Sequence, residues 1–500
     1  MKNLNFKKVT KIMKVKFTEE NINKLFGSEA AEDETFERLQ SYYLKSNTHD
    51  KVVADLPLRI LVGHKGIGKS ALFKMAMSED FTKGRLPILV KPDDIADLAY
   101  NTQDFHQIIR EWKKGLQIII AQKVMNSYGM SPDSNFFDKL KGYSGKFMSF
   151  ITESTTNFTS EYVNLDASKK ALVESFLNNK KIIVYIDDLD RGWQSKKEDI
   201  TRISALLNAV RDMSNDNEGL QFRISLRSDV YYLVRTSDES TDKIESSVVW
   251  HSWNNHEILL LLIKRIQTFL KEDFNIDALK KLEQYRLAFY LNPVFEERFS
   301  DKGKWENAPT YKILMSLIRK RPRDLVKLCT LAARNANENG RDIIKTEDLK
   351  AIFEEYSQGR IQDTVNEFKS EFPQIERLLL NMKPSRKELD KGEGFIYDTN
   401  KLKNKIRNIF EQGKFTFQNG KIATENDIVQ FLYKINFITA RKVLESGHID
   451  RTFFEENRFL STQLTNYGYD WEVHPAFRWA LQPEDSYNMF QKIDLSADDK

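Results

Sequence analysis

The residues Gly63-His64-Lys65-Gly66-Ile67-Gly68-Lys69-Ser70 decide the fold of this chain. They match the phosphate-loop pattern G-x-x-x-x-G-K-[ST] at every fixed position. The run Leu58–Val62 before them is typical of a short buried strand, and residues 71–77 after them favour a helix. A chance match in a glycine-rich turn is the alternative interpretation. The flanking strand and helix patterns favour the phosphate loop, because that loop requires both.

Each part of this loop has a physical role in holding a nucleoside triphosphate. The glycines let the backbone turn tightly, so that successive N–H groups face the phosphates, and the helix that follows points its positive dipole end at the same place. We expect Lys69 to neutralise the β- and γ-phosphates and Ser70 to ligate Mg²⁺. The predicted cofactors are therefore ATP and Mg²⁺. The predicted ATP-binding residues here are Gly63, His64, Lys65, Gly66, Ile67, Gly68, Lys69, Ser70 and Ala71.

A second motif follows about 120 residues later, where the hydrophobic run Ile182–Ile186 ends in two carboxylates, Asp187 and Asp188. We expect Asp187 to hold Mg²⁺ through its water shell. Asp188 is the predicted catalytic residue that orients or deprotonates a water in line with the γ-phosphate. The alternative for Asp188 is a structural carboxylate that pairs with Arg191.

Two further cations are predicted to act at the nucleotide. Arg227 follows a strand pattern one helix after the acidic pair, where related ATPases place a sensor of the γ-phosphate. The alternative is an ion pair with Asp229 that only fixes the loop. Arg323 lies in the run Arg-Pro-Arg-Asp-Leu at 321–325, at the start of a predicted helix. The alternative for that run is a surface capping and salt-bridge cluster.

Strand patterns at Leu58–Val62, 88–91, Ile182–Ile186 and 222–226 alternate with helical ones, which predicts a parallel α/β sheet covered by helices on both faces. Strand signals nearly vanish beyond residue 253, and mixed helix and strand signals return after about 364. We expect the last residues to be frayed. The predicted domains are an N-terminal extension 1–46, a P-loop ATPase domain 47–253 with an insertion at about 127–167, a helical lid 254–363, a C-terminal domain 364–483 and a polar tail 484–500.

The composition fits a globular protein, with 40% hydrophobic and 30% charged residues. The net charge of +4 is too small to indicate a nucleic-acid partner. The single cysteine, Cys329, excludes an intramolecular disulfide and any cysteine-cluster zinc site, which favours a cytoplasmic location. No apolar run is long enough to span a membrane, so no membrane partner is expected. The basic residues 1–16 have two interpretations. They form an arm that binds a membrane surface or nucleic acid, or they are a solvated tail or sequence upstream of a true start at Met13.

These motifs resemble a family of bacterial P-loop ATPases related to the KAP and STAND groups. The resemblance rests on six stretches and covers most of the chain, although residues 95–170 carry little of it. They are Gly-His-Lys-Gly-Ile-Gly-Lys-Ser-Ala-Leu at 63–72, Tyr-Ile-Asp-Asp-Leu-Asp-Arg-Gly-Trp at 185–193, Leu-Arg-Ser-Asp-Val at 226–230, Leu-Phe-Gly-Ser-Glu-Ala-Ala-Glu-Asp at 25–33, Arg-Pro-Arg-Asp-Leu at 321–325 and Val-His-Pro-Ala-Phe at 473–477.

The resemblance implies an AAA-like nucleotide domain, an all-α lid and a C-terminal winged-helix-like α+β domain. It also implies that Pro322 contacts the adenine and that Arg227 is the sensor arginine. The family usually has glycine two residues before that proline, where this chain has Lys320. Such proteins are ATP-driven switches, and many belong to bacterial anti-phage defence or mobile elements.

Two functions remain open from the sequence. The first is a regulatory ATPase switch that acts on a homo-oligomer or a partner effector protein. The second is a DNA-handling ATPase that reads DNA with its C-terminal domain, for which the basic residues Lys401, Lys403, Lys405 and Arg407 are the candidate contacts. A solvated helix face is the alternative for these four. The sequence contains no Asn-Lys-x-Asp motif of GTPases and no Leu-Ser-Gly-Gly-Gln motif of transporter ATPases, and the two adjacent aspartates favour water over a kinase substrate.

Overall fold

The structure is a computed structural model that describes residues 15–96, 98, 104–129, 136, 139–140, 147–161, 167–237, 239–390, 394–458, 460, 468–485, 489 and 491–499. The chain divides into two compact units. The sheet unit is Lys45–His251, and the helical unit combines Met1–Leu44 with Ser252–Lys500. Two predictions concern residues that are not all described. The basic N-terminus lies outside the described residues except for its last two, and so does part of the insertion at 127–167.

Five parallel strands form the centre of the sheet unit, in the order β2-β3-β4-β1-β5. Their bounds are β1 Leu58–Val62, β2 Leu86–Val90, β3 Ile182–Ile186, β4 Leu220–Leu226 and β5 Val248–Trp250. β4 lies between β1, the strand before the phosphate loop, and β3, the strand that Asp187 follows. Because all five strands are parallel, their carboxyl ends meet at one edge, which is where such sheets bind ligands.

Helices cover both faces of this sheet. Alternate residues of β1 point to opposite faces: Ile60 packs in one core with Trp112, and Leu61 packs in the other with Phe73. The helices are Asn47–Val53, Lys69–Thr82, Phe105–Ser127, Phe147–Glu161, Ala167–Asn179, Lys197–Asp216 and Ser228–Ser237. The predicted parallel α/β sheet with helices on both faces is confirmed.

The second strand begins earlier than the sequence predicts. The predicted range is 88–91 with Pro87 as its boundary, but β2 spans Leu86–Val90 and includes Pro87. Among the described strands, β2 is the outermost one and pairs only with β3. A proline has no N–H to donate, so it is tolerated in an edge strand that lacks a second neighbour.

The helical unit contains the N-terminal segment as well as the lid. Leu25 and Phe26 of the first helix are buried, and Arg334 donates two hydrogen bonds of 2.8 Å to the carboxylate of Glu19. The helices of this unit are Glu19–Phe26, Phe36–Tyr42, Asn255–Leu270, Ile276–Leu279, Gln284–Leu287, Thr310–Leu317, Pro322–Glu338, Thr346–Phe368, Ile375–Asn381, Arg386–Asp390, Thr399–Glu411, Glu425–Lys434 and Arg478–Leu481.

The C-terminal part of the helical unit adds a four-stranded antiparallel sheet, as the predicted α+β class requires. Its order is β6-β9-β7-β8. The strands are β6 Ile396–Tyr397, β7 Ile438–Val443, β8 Ile449–Thr452 and β9 Asp470–Val473. Two helices, Thr399–Glu411 and Glu425–Lys434, precede the β7–β8 hairpin. The winged-helix interpretation of this part stays a prediction.

Two sequence boundaries differ from the structure. The helix Thr346–Phe368 runs through the predicted boundary at 363/364, because Ile361, Val365 and Phe368 continue its buried face. The tail expected to fray is packed where it is described, since Ile493 is fully buried. The indole N–H of Trp305 donates to the Ile493 carbonyl at 2.9 Å.

A buried ion cluster lies at the start of the helix Pro322–Glu338. The Asp324 carboxylate accepts hydrogen bonds from Arg319 at 2.8 and 3.0 Å and from Arg360 at 2.6 Å. All three residues are at most 3% exposed. The run Arg-Pro-Arg-Asp-Leu therefore contributes its aspartate to the interior of the helical unit.

Candidate nucleotide-binding site

The phosphate loop joins β1 to the helix Lys69–Thr82. Its Gly66 and Gly68 have φ angles of 78° and 101°, a region that residues with a Cβ rarely adopt. A Cβ on Gly68 would meet nothing within 4 Å. The backbone conformation, rather than a lack of space, therefore requires glycine at position 68.

Gly63 is required for a different reason, which is close packing. A Cβ there would lie 3.0 Å from Cγ2 of Ile67 and 3.1 Å from the backbone carbonyl of His251. The Gly63 N–H also donates to the Leu226 carbonyl at 3.2 Å. The start of the loop is thus held between the ends of β4 and β5.

The side chains that should meet the phosphates and metal lie at the end of this loop. The Lys69 ammonium donates to the carbonyls of Gly63 at 2.9 Å and His64 at 3.1 Å, which holds it over the loop. Ser70 is the next residue of the helix and is half-buried. Its hydroxyl and the Asp187 carboxylate are hard oxygen donors of the kind that bind Mg²⁺.

Asp187 and Asp188 follow β3 directly at the carboxyl edge of the sheet. The Asp187 carboxylate accepts a hydrogen bond from the Asp188 N–H at 3.0 Å. Asp188 is exposed and has a φ of 60°, a left-handed conformation that aspartate and asparagine tolerate better than most residues. The Arg191 N–H donates to the Asp188 carbonyl at 3.0 Å, whereas its guanidinium lies 3.9 Å from the Asp93 carboxylate.

Ser225 is a member of this site that no sequence motif marks. Its hydroxyl donates to the Asp187 carboxylate, and it is 1% exposed. The register between β3 and β4 pairs Ile186 with Ile224. The residues that follow, Asp187 and Ser225, therefore lie side by side. A serine near the end of a strand is the only sequence signal, and that signal becomes meaningful once β4 is known to lie beside β3.

Arg227 forms the ion pair that the sequence offers as the alternative to a sensor. Its guanidinium donates to both carboxylate oxygens of Asp229, at 3.0 and 2.6 Å, and lies 3.4 Å from Asp190. The side chain is 7% exposed. A role for Arg227 at the γ-phosphate stays a prediction, and it would require this pair to open.

Two histidines line the base of the loop. The His64 ring is 1% exposed and its Nδ1 lies 3.0 Å from the Ser228 hydroxyl. His251 donates its backbone N–H to the Val62 carbonyl at 2.8 Å. Burial and the nearby charge of Lys69 lower the pKa of His251 to about 3, so this ring is neutral at neutral pH.

The predicted adenine and lid residues lie in the helical unit. Lys320 has a φ of 51°, so this chain keeps the left-handed backbone for which glycine is the usual residue. Its ammonium pairs with Glu456 at 2.6 Å. Pro322 is the buried first residue of its helix, and the Arg323 guanidinium donates to the Glu29 carbonyl at 3.2 Å. Roles for Pro322 and Arg323 at the nucleotide stay predictions.

The basic residues proposed as DNA contacts are partly used within the helical unit. Lys405 is 8% exposed and its ammonium contacts the Lys383 carbonyl at 2.7 Å and Glu388 at 2.8 Å. Arg407 pairs with Glu425 at 2.9 Å. The buried Lys405 cannot contact DNA without leaving these partners, which favours a structural interpretation for this position.

Comparisons with known proteins give partial similarity. Residues 257–365 match a family described as the FunZ-associated C-terminal helical domain. The chain is 22% identical over 526 aligned positions to the "Putative transposon gamma-delta 80.3 kDa protein" of Escherichia coli strain K12, covering 94% of this chain and 70% of that protein.

Solved structures give a looser similarity over most of the chain. The Aeropyrum pernix ORC2 protein in ADPNP–ADP complexes superposes with a TM-score of 0.38 at 11% identity, covering 87% of this chain and 88% of that one. The Aeropyrum pernix ORC1 protein in complex with DNA gives 0.31 at 12% identity, covering 89% and 100%. The assignment of a P-loop fold stands on the loop geometry and strand order of this chain. Among the residues that the structure describes, no helix is long and apolar enough to cross a membrane.

Proposed function

We propose that this chain binds Mg·ATP and hydrolyses ATP at the carboxyl edge of β1, β3 and β4. The observation that carries the proposal is the arrangement of the phosphate loop, Asp187 and Ser225 at this edge. A phosphate loop supplies inward N–H groups and Lys69 for the phosphates. The strand on the other side of β4 supplies the carboxylate for the metal.

Each residue then has a separate task in the reaction. Ser70 and Asp187 would hold Mg²⁺, which neutralises charge on the β- and γ-phosphates when bound. Lys69 exchanges its two loop carbonyls for phosphate oxygens, and Ser225 orients Asp187 through its hydroxyl. Asp188, exposed one residue beyond Asp187, would accept a hydrogen bond from the attacking water.

Lys69→Ala is expected to weaken ATP binding by about 10- to 100-fold and to abolish turnover. The lost contact is a hydrogen bond to a charged group, typically worth about 1.5–3 kcal/mol. The measurement is equilibrium binding of a fluorescent ATP analogue together with phosphate release. Lys83→Ala is the matched control, because it removes the same charge at the far end of the same helix. Equal ATP affinity in Lys69→Ala and the wild type would contradict the phosphate-loop assignment.

We further propose that ATP acts as a switch, with a homo-oligomer or a partner effector as the output. ATP shifts a conformational equilibrium only if it contacts one state better than ADP does. A cation that reads the γ-phosphate provides such a difference, and Arg323 is the candidate in the helical unit. A role in bacterial anti-phage defence rests on the family resemblance alone.

Arg323→Ala is expected to lose the ATP-dependent change in particle size or protease sensitivity while ATP affinity falls by about tenfold or less. Arg323 is partly exposed, and an ion pair screened by solvent contributes about 1 kcal/mol or less, which sets that limit. Sizing and limited proteolysis in ADP and in a non-hydrolysable ATP analogue provide the measurement. Lys327→Ala is a matched control on the same helix, since Lys327 also contacts the segment at Glu29, with its ammonium 3.2 Å from that carboxylate. A normal response of Arg323→Ala to ATP would remove Arg323 from the switch.

A DNA-handling ATPase is the second candidate, favoured by the similarity to a protein whose name refers to a transposon. The buried Lys405 counts against DNA contacts from the basic residues at 401–407. The helix Glu425–Lys434 of the same domain has six buried residues among its ten, so less than half of it is free to contact DNA. Duplex binding as a function of salt separates the two functions, because each neutralised phosphate releases counterions. A steep loss of affinity with salt would favour DNA as the partner.

A further inference from the structure

One short segment at the end of β4 contacts both motifs of the proposed active site. Ser225 donates to Asp187, Arg227 lies 3.4 Å from Asp190, and Ser228 lies 3.0 Å from the His64 ring. The segment therefore touches the carboxylate motif at two points and the phosphate loop at one side chain. Together with the bond from the Gly63 N–H to the Leu226 carbonyl at 3.2 Å and the pairing of β4 with β1 and β3, these contacts set the distance between the two motifs.

The His64 side chain carries the contact between the phosphate loop and Ser228, with its Nδ1 3.0 Å from the Ser228 hydroxyl. Loop N–H groups face the phosphates in this class of site, whereas the His64 side chain points into the surrounding protein. The His64 ring is accordingly 1% exposed, and Ser228 is fully buried. The His64 carbonyl, at the other end of the same residue, is one of the two acceptors of the Lys69 ammonium. A shift of the His64 ring would thus move the loop backbone that joins His64 to Lys69.

We propose that His64 is a positioning residue for ATP hydrolysis, acting through its hydrogen bond to Ser228. The inference rests on the proposed ATPase function. The bond fixes the phosphate loop, and with it Lys69, relative to the segment that orients Asp187. Binding of ATP is made by the loop N–H groups and Lys69, so it needs this alignment less than the chemical step does. The expected signature is therefore a change in kcat with little change in ATP affinity.

The test compares two amide replacements of His64. The side-chain amide of Asn lies where Nδ1 of histidine lies and can keep the bond to Ser228, whereas that of Gln lies where Nε2 lies. We expect His64→Gln and Ser228→Ala each to lower kcat by about 10- to 100-fold, the range typical of a misplaced reacting group. ATP affinity should stay within about threefold of the wild type. His64→Asn should restore most of kcat.

A double-mutant cycle identifies the bond itself. The variant His64→Gln/Ser228→Ala should be no slower than the slower single variant, because both changes remove the same contact. Ser214→Ala is the matched control: Ser214 is buried in the same unit, and its hydroxyl donates to the Arg211 carbonyl at 2.9 Å. Its kcat should equal that of the wild type.

The outcomes separate this inference from the proposed function. A wild-type chain that does not hydrolyse ATP would overturn both. A wild-type chain that hydrolyses ATP, with equal kcat values for His64→Asn and His64→Gln or with additive effects in the cycle, would overturn only the role of His64. Melting temperatures measured on all variants show whether a fall in kcat follows loss of folded protein, and a fall that disappears after correction for the folded fraction also overturns that role.

Discussion

Asp188→Asn is expected to retain Mg·ATP and to hydrolyse it about 10²–10⁴-fold more slowly than the wild type, because the carboxylate that positions or deprotonates the water is lost. Asparagine is the right replacement for a structural reason. Asp188 has a φ of 60°, and asparagine, like aspartate, tolerates this left-handed conformation. The loss of rate then reports the missing charge rather than a distorted loop.

The measurement is single-turnover hydrolysis beside equilibrium binding of the nucleotide. Asp93→Asn is the matched control, since the Asp93 side chain is 86% exposed and lies near Arg191 on the same loop edge. It removes an equal charge without touching the predicted water. A wild-type rate in Asp188→Asn would make Asp188 a structural residue, and its association with Arg191 would then be the better explanation.

The phosphate loop and the acidic pair could be predicted from the sequence because the residues of each motif are neighbours in the chain. The phosphate loop and the pair Asp187–Asp188 each lie within a few residues after a strand, so spacing alone places them. Ser225 could not be found in this way. Its role depends on β4 pairing with β3 in one register, and that register is a property of the sheet.

Residue type alone does not show the backbone conformation at Lys320. Lys320 breaks the family pattern of glycine, yet its φ of 51° keeps the conformation that glycine would allow. A left-handed residue other than glycine carries a cost of about 1–2 kcal/mol, which the surrounding contacts offset. One such contact is the ion pair with Glu456 at 2.6 Å.

The packed C-terminal tail could not be predicted from the sequence either, because its contacts are distant along the chain. Polar and acidic residues near a terminus favour disorder when they are judged by composition. In the structure, Asp494 accepts a hydrogen bond from Arg441 at 2.8 Å, and Arg451 donates to the Asp494 carbonyl at 2.8 Å. Arg441 and Arg451 lie about 40–50 residues earlier in the chain, so no local sequence pattern predicts these contacts.

Asp324→Asn is expected to destabilise the helical unit by about 3–5 kcal/mol, the effect typical of removing one partner from a buried ion pair. Asparagine nearly keeps the shape of the side chain but leaves the buried Arg319 guanidinium without the carboxylate that pairs with it. Arg360 keeps only its contact with the half-exposed Asp363 at 2.8 Å. Arg319 retains a contact with the face of the Phe477 ring, 5.3 Å from its centroid. That contact is too weak to replace the lost charge, since cation–π contacts contribute about 0.5–2 kcal/mol.

Denaturant unfolding monitored through the tryptophans of the helical unit provides the measurement, and the pH dependence adds a second one. Burial alone would raise the pKa of Asp324, but the adjacent Arg319 and Arg360 hold that pKa well below its usual range. The stability from this pair is therefore present above the unfolded pKa of 3.8 and is lost only as the pH falls through the lower folded value. Asp363→Asn is the control, because Asp363 contacts Arg360 at 2.8 Å but its side chain is 49% exposed, where an ion pair contributes about 1 kcal/mol or less. The free energy of unfolding lost in Asp324→Asn should exceed the loss in Asp363→Asn at neutral pH. If the two losses were equal, the charge of Asp324 would contribute little to stability. The shape that asparagine shares with aspartate would then suffice to hold the start of the helix Pro322–Glu338.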